Sequence, residues 1–308
     1  LMSNATPALP AMEYQPHSPF MSRTGGQCAT WHTITPMNGR IQTARGPDER
    51  GPGRLMRHLT GALLVVLLAG CHRGHLAGEQ AAYRDAFVSL ADVEPGIVFD
   101  IRYYGDSNFV GTRIDGYEAA KCLLTREAAH ALAAAQREAR ASGLGLKVYD
   151  CYRPQRAVAH FVSWARDLDD TRMRRQYYPA IDKRDLFRLG YIDERSGHSR
   201  GSTVDVTLVT IPPPGLVTAG IPPGTRDCRA EKQQRYPDSS IDMGTGFDCF
   251  DPLAHTDSAD IPAEAKRNRL LLKTLMEQHG FVNYPKEWWH YTLRDEPFPE
   301  RYFNFPVN

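Results

Sequence analysis

The sequence predicts an α+β fold, a single domain over residues 90–308 with a small antiparallel sheet flanked by helices. Three observations carry this expectation. The run Thr203-Val204-Asp205-Val206-Thr207-Leu208-Val209 alternates with the period of a strand. Segments with helical apolar stripes lie both before and after it, so strand and helix patterns mix along one stretch. No internal repeat divides the chain, and with 42% hydrophobic and 24% charged residues in 308 the composition is that of an ordinary globular protein.

The chain ahead of that domain is different. Residues 1–55 are rich in Pro, Gly, Ser, Thr and Met and show no apolar period. They read as a disordered extension, or as a stretch upstream of a true start at Met56. Met56-Arg57-His58-Leu59-Thr60 is a short basic head, and Gly61 to Gly70 a compact apolar run too short to span a bilayer comfortably. Leu68-Ala69-Gly70-Cys71 resembles a bacterial lipobox, which makes residues 56–70 a signal peptide with Cys71 as the lipidated residue. Residues 71–89 would then be a linker. The expected location is the extracytoplasmic bacterial envelope, as a periplasmic lipoprotein whose membrane contact is the lipid anchor alone.

Four cysteines follow in the mature chain: Cys122, Cys151, Cys228 and Cys249. An even number in an oxidising compartment suggests disulfides. Three pairings are open; that of sequence neighbours, Cys122–Cys151 with Cys228–Cys249, is the expected one, and four free thiols remain the alternative. No CxxC pair supports a zinc ribbon. The formal net charge of +1 gives no electrostatic case for nucleic acid.

Within the domain, Val98 to Tyr104 reads as a strand, followed by turns at Asn108–Gly111 and Asp115–Tyr117. A helix starts at Thr125 as N-cap, carries Leu132, Ala135 and Ala139 on one face, and stops at Ser142-Gly143. Leu146 to Tyr152 is a strand that delivers Arg153 at its end. Pro154 opens the next helix, with Val158, Phe161, Val162 and Ala165 on one face. In the strand Thr203–Val209, alternation puts Val204, Val206 and Leu208 on one side and Asp205 on the other. A long irregular region to about Asp257 is the kind often tied to function. The last helix runs from Pro262 to Gly280, with Leu271, Leu272, Leu275 and Met276 in its stripe. A strand at Gly280–Tyr284 is interrupted by Pro285.

The residues that can carry chemistry sit at three places: Tyr152-Arg153-Pro154, Ser196-Gly197-His198 through Asp205, and Glu287-Trp288-Trp289-His290. A catalytic zinc takes three protein ligands and keeps a position for water. His198, Asp205 and His290 supply such a set for one zinc ion per chain, in a cleft on the sheet. Glu287 would act as general base and Arg153 as oxyanion donor. Glu287 and His290 are three apart, so a regular strand would point them to opposite faces. Irregular backbone is therefore expected after Pro285.

The ordered set Ser-x-His-x-x-Gly-x-x-x-Asp (Ser196 to Asp205) and Glu-x-x-His (Glu287 to His290) resembles the VanX-type D-alanyl-D-alanine dipeptidases, zinc peptidases related to D,D-carboxypeptidases. Asp100 to Tyr103, Asn108-Phe109, Asp115 to Tyr117, Tyr152 to Pro154 and Asp242 to Thr245 add to the likeness, which covers about residues 90–305. The resemblance implies zinc on His198, Asp205 and His290, Glu287 as catalytic base and Arg153 as transition-state arginine. It also implies Asp242 as holder of the substrate amino group, with Ser196 near the substrate carboxylate. The implied substrate is D-Ala-D-Ala or a related wall-derived peptide. The alternatives are a D,D-carboxypeptidase of peptidoglycan peptides and an inactive peptidoglycan-binding module. Thr203 departs from the family, which often has alanine there.

Overall fold

A computed structural model describes residues 83–215, 222 and 224–308. The extension 1–55, the segment 56–70 expected to be a signal peptide, and Cys71 lie outside the described residues. Five strands form the main sheet: β2 (Val98–Phe99), β4 (Leu144–Asp150), β5 (Thr203–Thr210), β7 (His290–Leu293) and β6 (Phe281–Asn283), in that order across it. A separate antiparallel pair joins β1 (Phe87–Ser89) to β3 (Leu123–Thr125), so the folded chain begins ahead of residue 90. Among the described residues, three long helices pack around the strands: α1 (Arg126–Ala141), α2 (Gln155–Arg166) and α3 (Ala263–Gln278). Among the described residues, no helix is long and apolar enough to cross a membrane.

The sheet is mixed rather than wholly antiparallel. Its β4–β5, β5–β7 and β6–β7 pairs are antiparallel, but the edge strand β2 runs parallel to β4. The expected strand from Val98 to Tyr104 stops at Phe99, and Arg102–Tyr104 wind into a 3-10 turn. That turn buries the Arg102 guanidinium between Asp100 (3.0 Å) and Asp238 (2.9 Å), which an extended run would not reach.

The helices follow their sequence signals. The Thr125 hydroxyl accepts from the Ala128 amide and caps α1. Gly143 takes a φ of +73° just past its end, where a side chain would be strained. In α3 the stripe differs by one residue from expectation. Leu272, Leu275 and Met276 are buried with Ala265, while Leu271 is 45% exposed. At about 100° per residue, Leu271 and Leu272 cannot both face the core of a narrow stripe.

Strand register positions the functional residues. β4 and β5 pair regularly through Lys147 opposite Thr207 and Val148 opposite Val206. Tyr149 is then skipped, and Asp150 stands opposite Asp205. Such a bulge sends the residue after it to the face that simple alternation would deny it. β5 and β7 pair Asp205 with His290. Asp150, Asp205 and His290 thus form one row across three neighbouring strands. Beside it, the Thr203 and Thr292 hydroxyls meet at 2.9 Å, which gives the unexpected threonine a cross-strand partner.

The cysteines pair as Cys122–Cys151 and Cys228–Cys249, with Cα atoms 5.2 and 5.7 Å apart. The first ties the chain before β3 to the end of β4. The second fastens the irregular region between β5 and α3 to the segment that contains Asp248.

Candidate active site

His198 lies in the 3-10 turn Gly197–Arg200, which ends at Gly201 with φ +86°. Its Nδ1 donates to the Cys151 carbonyl at 2.7 Å. That bond fixes the tautomer and leaves Nε2 free to act as a ligand. Asp150 Oδ2 stands 3.4 Å from the same Nδ1 and adds negative charge behind the ring.

Three donor atoms converge at the end of the row. His198 Nε2 and His290 Nδ1 each lie 3.2 Å from Asp205 Oδ1, and the two nitrogens are 3.3 Å apart. Tetrahedral zinc with bonds of about 2.0–2.1 Å has ligand–ligand edges of roughly 3.3 Å, so the triangle has the right size. Asp205 Oδ1 is buried without a hydrogen-bond partner, an acceptor that awaits a cation. The donor set therefore fits a divalent metal.

The electrostatics agree with that fit. Burial would raise the Asp205 carboxyl, but His198 and His290 hold it well below the usual carboxylate range. Burial would likewise lower the His290 imidazolium; the neighbouring carboxylates of Asp205 and Glu287 outweigh it and raise the group to about 9. This cluster thus stabilises positive charge at its centre.

Glu287 reaches the same centre, with Oε2 at 3.4 Å from His290 Nδ1. It does so because the chain turns after Pro285, with Glu287 N bonded to Tyr284 O at 3.0 Å and His290 N to Glu287 O at 3.3 Å. Asn283 Nδ2 donates to the Glu287 carbonyl at 3.0 Å and holds the turn. Trp288 and Trp289, buried between the two functional residues, anchor it in the core.

Arg153 follows β4, and its Nε donates to Asp150 Oδ2 at 2.9 Å. Its Nη2 lies 3.6 Å from Asp205 Oδ2, and Nη1 donates to the Ser196 hydroxyl at 3.4 Å. The guanidinium also stacks on Tyr103 and Phe161, with its carbon 4.9 and 5.0 Å from the ring centres. These contacts aim a fixed fork at the cleft. His198, Asp205, His290, Glu287, Arg153 and Ser196 are thus brought together.

Asp242 is not. Its carboxylate pairs with Arg235 and accepts the Gly244 amide at 2.9 Å, so both its charge and its geometry are committed to the loop. The cleft instead receives Asp248. This residue is buried, adopts φ +56°, and accepts the Tyr103 hydroxyl at 2.8 Å. A left-handed aspartate is sterically unusual and marks a constrained position. Burial and the Asp205 charge push its carboxyl well above the usual range, against the opposing pull of Tyr103 and Arg153. Among the described residues, no cationic side chain forms an ion pair with it.

The cleft between these groups has a volume of ≈ 310 Å³, at the small end for ligand sites, and is lined by Arg153, Ser196, Asp205, Asp248, Glu287 and His290 among others. Asp150, Asp248 and Tyr103 were not singled out by chemistry in the sequence. The one sequence signal for Asp248 is its place beside Cys249 in the long irregular region.

Comparison with known proteins agrees with this geometry. Residues 84–217 and 235–308 match the M15 peptidase family described as D-Ala-D-Ala dipeptidase. A D-alanyl-D-alanine dipeptidase of Streptomyces coelicolor is 38% identical over 221 residues, covering 72% of this chain and 98% of that protein. One from Enterococcus faecium is 36% identical over the same shares of the two chains. One from Escherichia coli K12 is 34% identical over 67% of this chain and 83% of its own length.

Proposed function

The chain belongs to the M15 family of D-Ala-D-Ala dipeptidases, and from that membership we propose that it hydrolyses D-alanyl-D-alanine to two D-alanines, using one zinc ion. A single observation carries the reading: Glu287 Oε2 stands 3.4 Å from a donor of the His198–Asp205–His290 triangle, within a cleft sized for a small substrate.

His198, Asp205 and His290 would hold the zinc, which when bound polarises the scissile carbonyl and makes water more acidic. Glu287 takes the proton of the attacking water and returns it to the leaving amine. Arg153, held by Asp150 and by the faces of Tyr103 and Phe161, donates to the oxyanion as it forms. Asp248 takes the substrate's free ammonium, the cation its buried carboxylate lacks. Ser196, within reach of Arg153, borders the place of the substrate carboxylate.

This arrangement makes a dipeptide the preferred substrate over a longer wall peptide. An acyl-blocked amine would leave Asp248 buried and unpaired, so N-acetyl-D-Ala-D-Ala should be a poor substrate. Hydrolysis of both peptides, with and without a chelator, tests the proposal. Chelator-insensitive hydrolysis would refute the zinc mechanism. Good turnover of the acetylated peptide would move the assignment to a D,D-carboxypeptidase, and no turnover of either would favour a binding module.

The envelope location rests on the Met56–Cys71 signal, and the two disulfides accord with an oxidising compartment. Fractionation of cells that express Cys71→Ser tests it: the variant should lose membrane association, and unchanged association would rule out a lipid anchor at Cys71.

A further inference from the structure

A second cavity, of ≈ 40 Å³, lies behind the Asp248 loop and shares no lining residue with the cleft. The backbone divides its side chains between the two. Phe247 and Trp288 wall the cavity, while Asp248 and Glu287 wall the cleft.

Three cationic side chains line the cavity, Arg102, Lys232 and Arg235, against one carboxylate, Asp238. That carboxylate is fully engaged. Its oxygens take the Lys147 ammonium, Arg102 Nη2 at 2.9 Å, the Tyr149 hydroxyl at 2.7 Å and the Ser240 amide at 2.7 Å. The Lys232 ammonium donates to backbone carbonyls, that of Asp238 at 3.3 Å and that of Ser240. Arg235 is only 6% exposed; its Nη2 meets Asp242, but its Nη1 is buried with no partner. Arg269, buried nearby, donates to the carbonyls of Met243, Leu253 and His255 and so adds charge without a carboxylate of its own.

Arg102 and Arg235 have carboxylates in Asp100 and Asp242, whereas among the described residues no carboxylate pairs with Lys232. A buried guanidinium N–H with no acceptor is rare, and the two unmatched donors call for an anion. A cavity of this volume exceeds the space one water needs. From the orphaned Arg235 Nη1, the Lys232 ammonium that no carboxylate meets and the cavity that both line, we propose that this is a binding site for a small oxyanion of phosphate or carboxylate size. Arg235 and Lys232 supply its charge-assisted donors.

The site depends on a segment outside the family match. Residues 218–234 fall between the two matched stretches, and they contribute Lys232 and Cys228. The part of the segment from residue 224 on is fastened by the Cys228–Cys249 disulfide and by the Gly246 amide, which donates to the Cys228 carbonyl at 2.8 Å. The proposed site shares no lining residue with the cleft and is separate from its substrate groups.

The full zinc-loaded protein tests this. Thermal midpoints are followed against inorganic phosphate, with chloride at matched ionic strength as control. Crystals are soaked in selenate, and the anion is located by anomalous scattering. The site predicts a saturable rise in midpoint with phosphate and a selenate peak within hydrogen-bond reach of Arg235 Nη1 and Lys232 Nζ. Both should be lost in Lys232→Met and kept in Arg188→Gln, which alters an exposed pair with Asp185. Circular dichroism checks that the Lys232 variant folds; if it does not, Lys232→Gln replaces it with the same two readouts. A selenate peak only at the His198–Asp205–His290 centre, no peak at all, or an undiminished phosphate response in the Lys232 variant would overturn the proposal.

Discussion

Asp150 and Asp205 stand directly opposite each other on β4 and β5, two buried carboxylates brought level by the bulge at Tyr149. Like charges so placed would repel unless cations separate their work. Arg153 does so by binding Asp150 at 2.9 Å and lying 3.6 Å from Asp205. Asp150 also accepts the Tyr117 hydroxyl at 2.6 Å, which orients it.

Asp150 is therefore a positioning residue for both His198 and Arg153. Asp150→Asn removes the charge behind the metal ligand and loosens the arginine. Loss of such an outer partner costs roughly 10–100-fold in metal affinity or activity. Zinc content after dialysis and kcat/KM for D-Ala-D-Ala check this, and a variant with wild-type values of both would exclude the role.

Asp248→Asn keeps the shape of the side chain but removes its charge. If Asp248 holds the substrate ammonium, the charged hydrogen bond lost is worth about 1.5–3 kcal/mol, or roughly a 10–150-fold fall in kcat/KM. The zinc content should stay unchanged. Tyr103→Phe, which deletes only the neutral donor at 2.8 Å, should have the smaller effect.

Arg153→Lys retains charge and loses the fork that binds Asp150 and Ser196 and, on the proposed mechanism, the developing oxyanion. Arginine and lysine are not equivalent at such a site. Removal of one oxyanion donor costs about 2.7–4 kcal/mol of barrier, so kcat should fall by roughly 10²–10³ with a smaller change in KM. Steady-state kinetics on the dipeptide separates the two parameters.

The Cys228–Cys249 disulfide closes a separation of 21 residues and ends beside Asp248. Its removal in the double variant Cys228→Ser/Cys249→Ser should lower stability by about 3 kcal/mol. Since the same bond constrains the neighbouring aspartate, KM for D-Ala-D-Ala should rise as well. Denaturant titration and kinetics on the one preparation measure both effects.

The sequence made most of the centre legible, because its parts announce themselves locally. The alternation of Thr203 to Val209 put Asp205 off the Val204–Leu208 face, and the three-residue step from Glu287 to His290 demanded a turn after Pro285. Both features are present. Long-range register was not legible. Alternation along Leu146–Tyr152 carries no sign that Tyr149 is skipped, and so none that Asp150 faces Asp205. The aspartates of the irregular region were equally opaque. Asp242 and Asp248 lie six residues apart in similar glycine-rich surroundings, and only the folded loop separates them. Arg235 takes the first, while the left-handed turn beside Cys249 swings the second into the cleft.

On the proposed mechanism, Glu287 moves the proton of hydrolysis beside a metal held by His198, Asp205 and His290. Turnover of D-Ala-D-Ala by zinc-loaded Glu287→Gln, with zinc measured in the same sample, tests it most directly. Zinc content should be near equal and kcat should fall by roughly 10²–10⁴, the range for loss of a general base. Wild-type turnover by the loaded variant would contradict it.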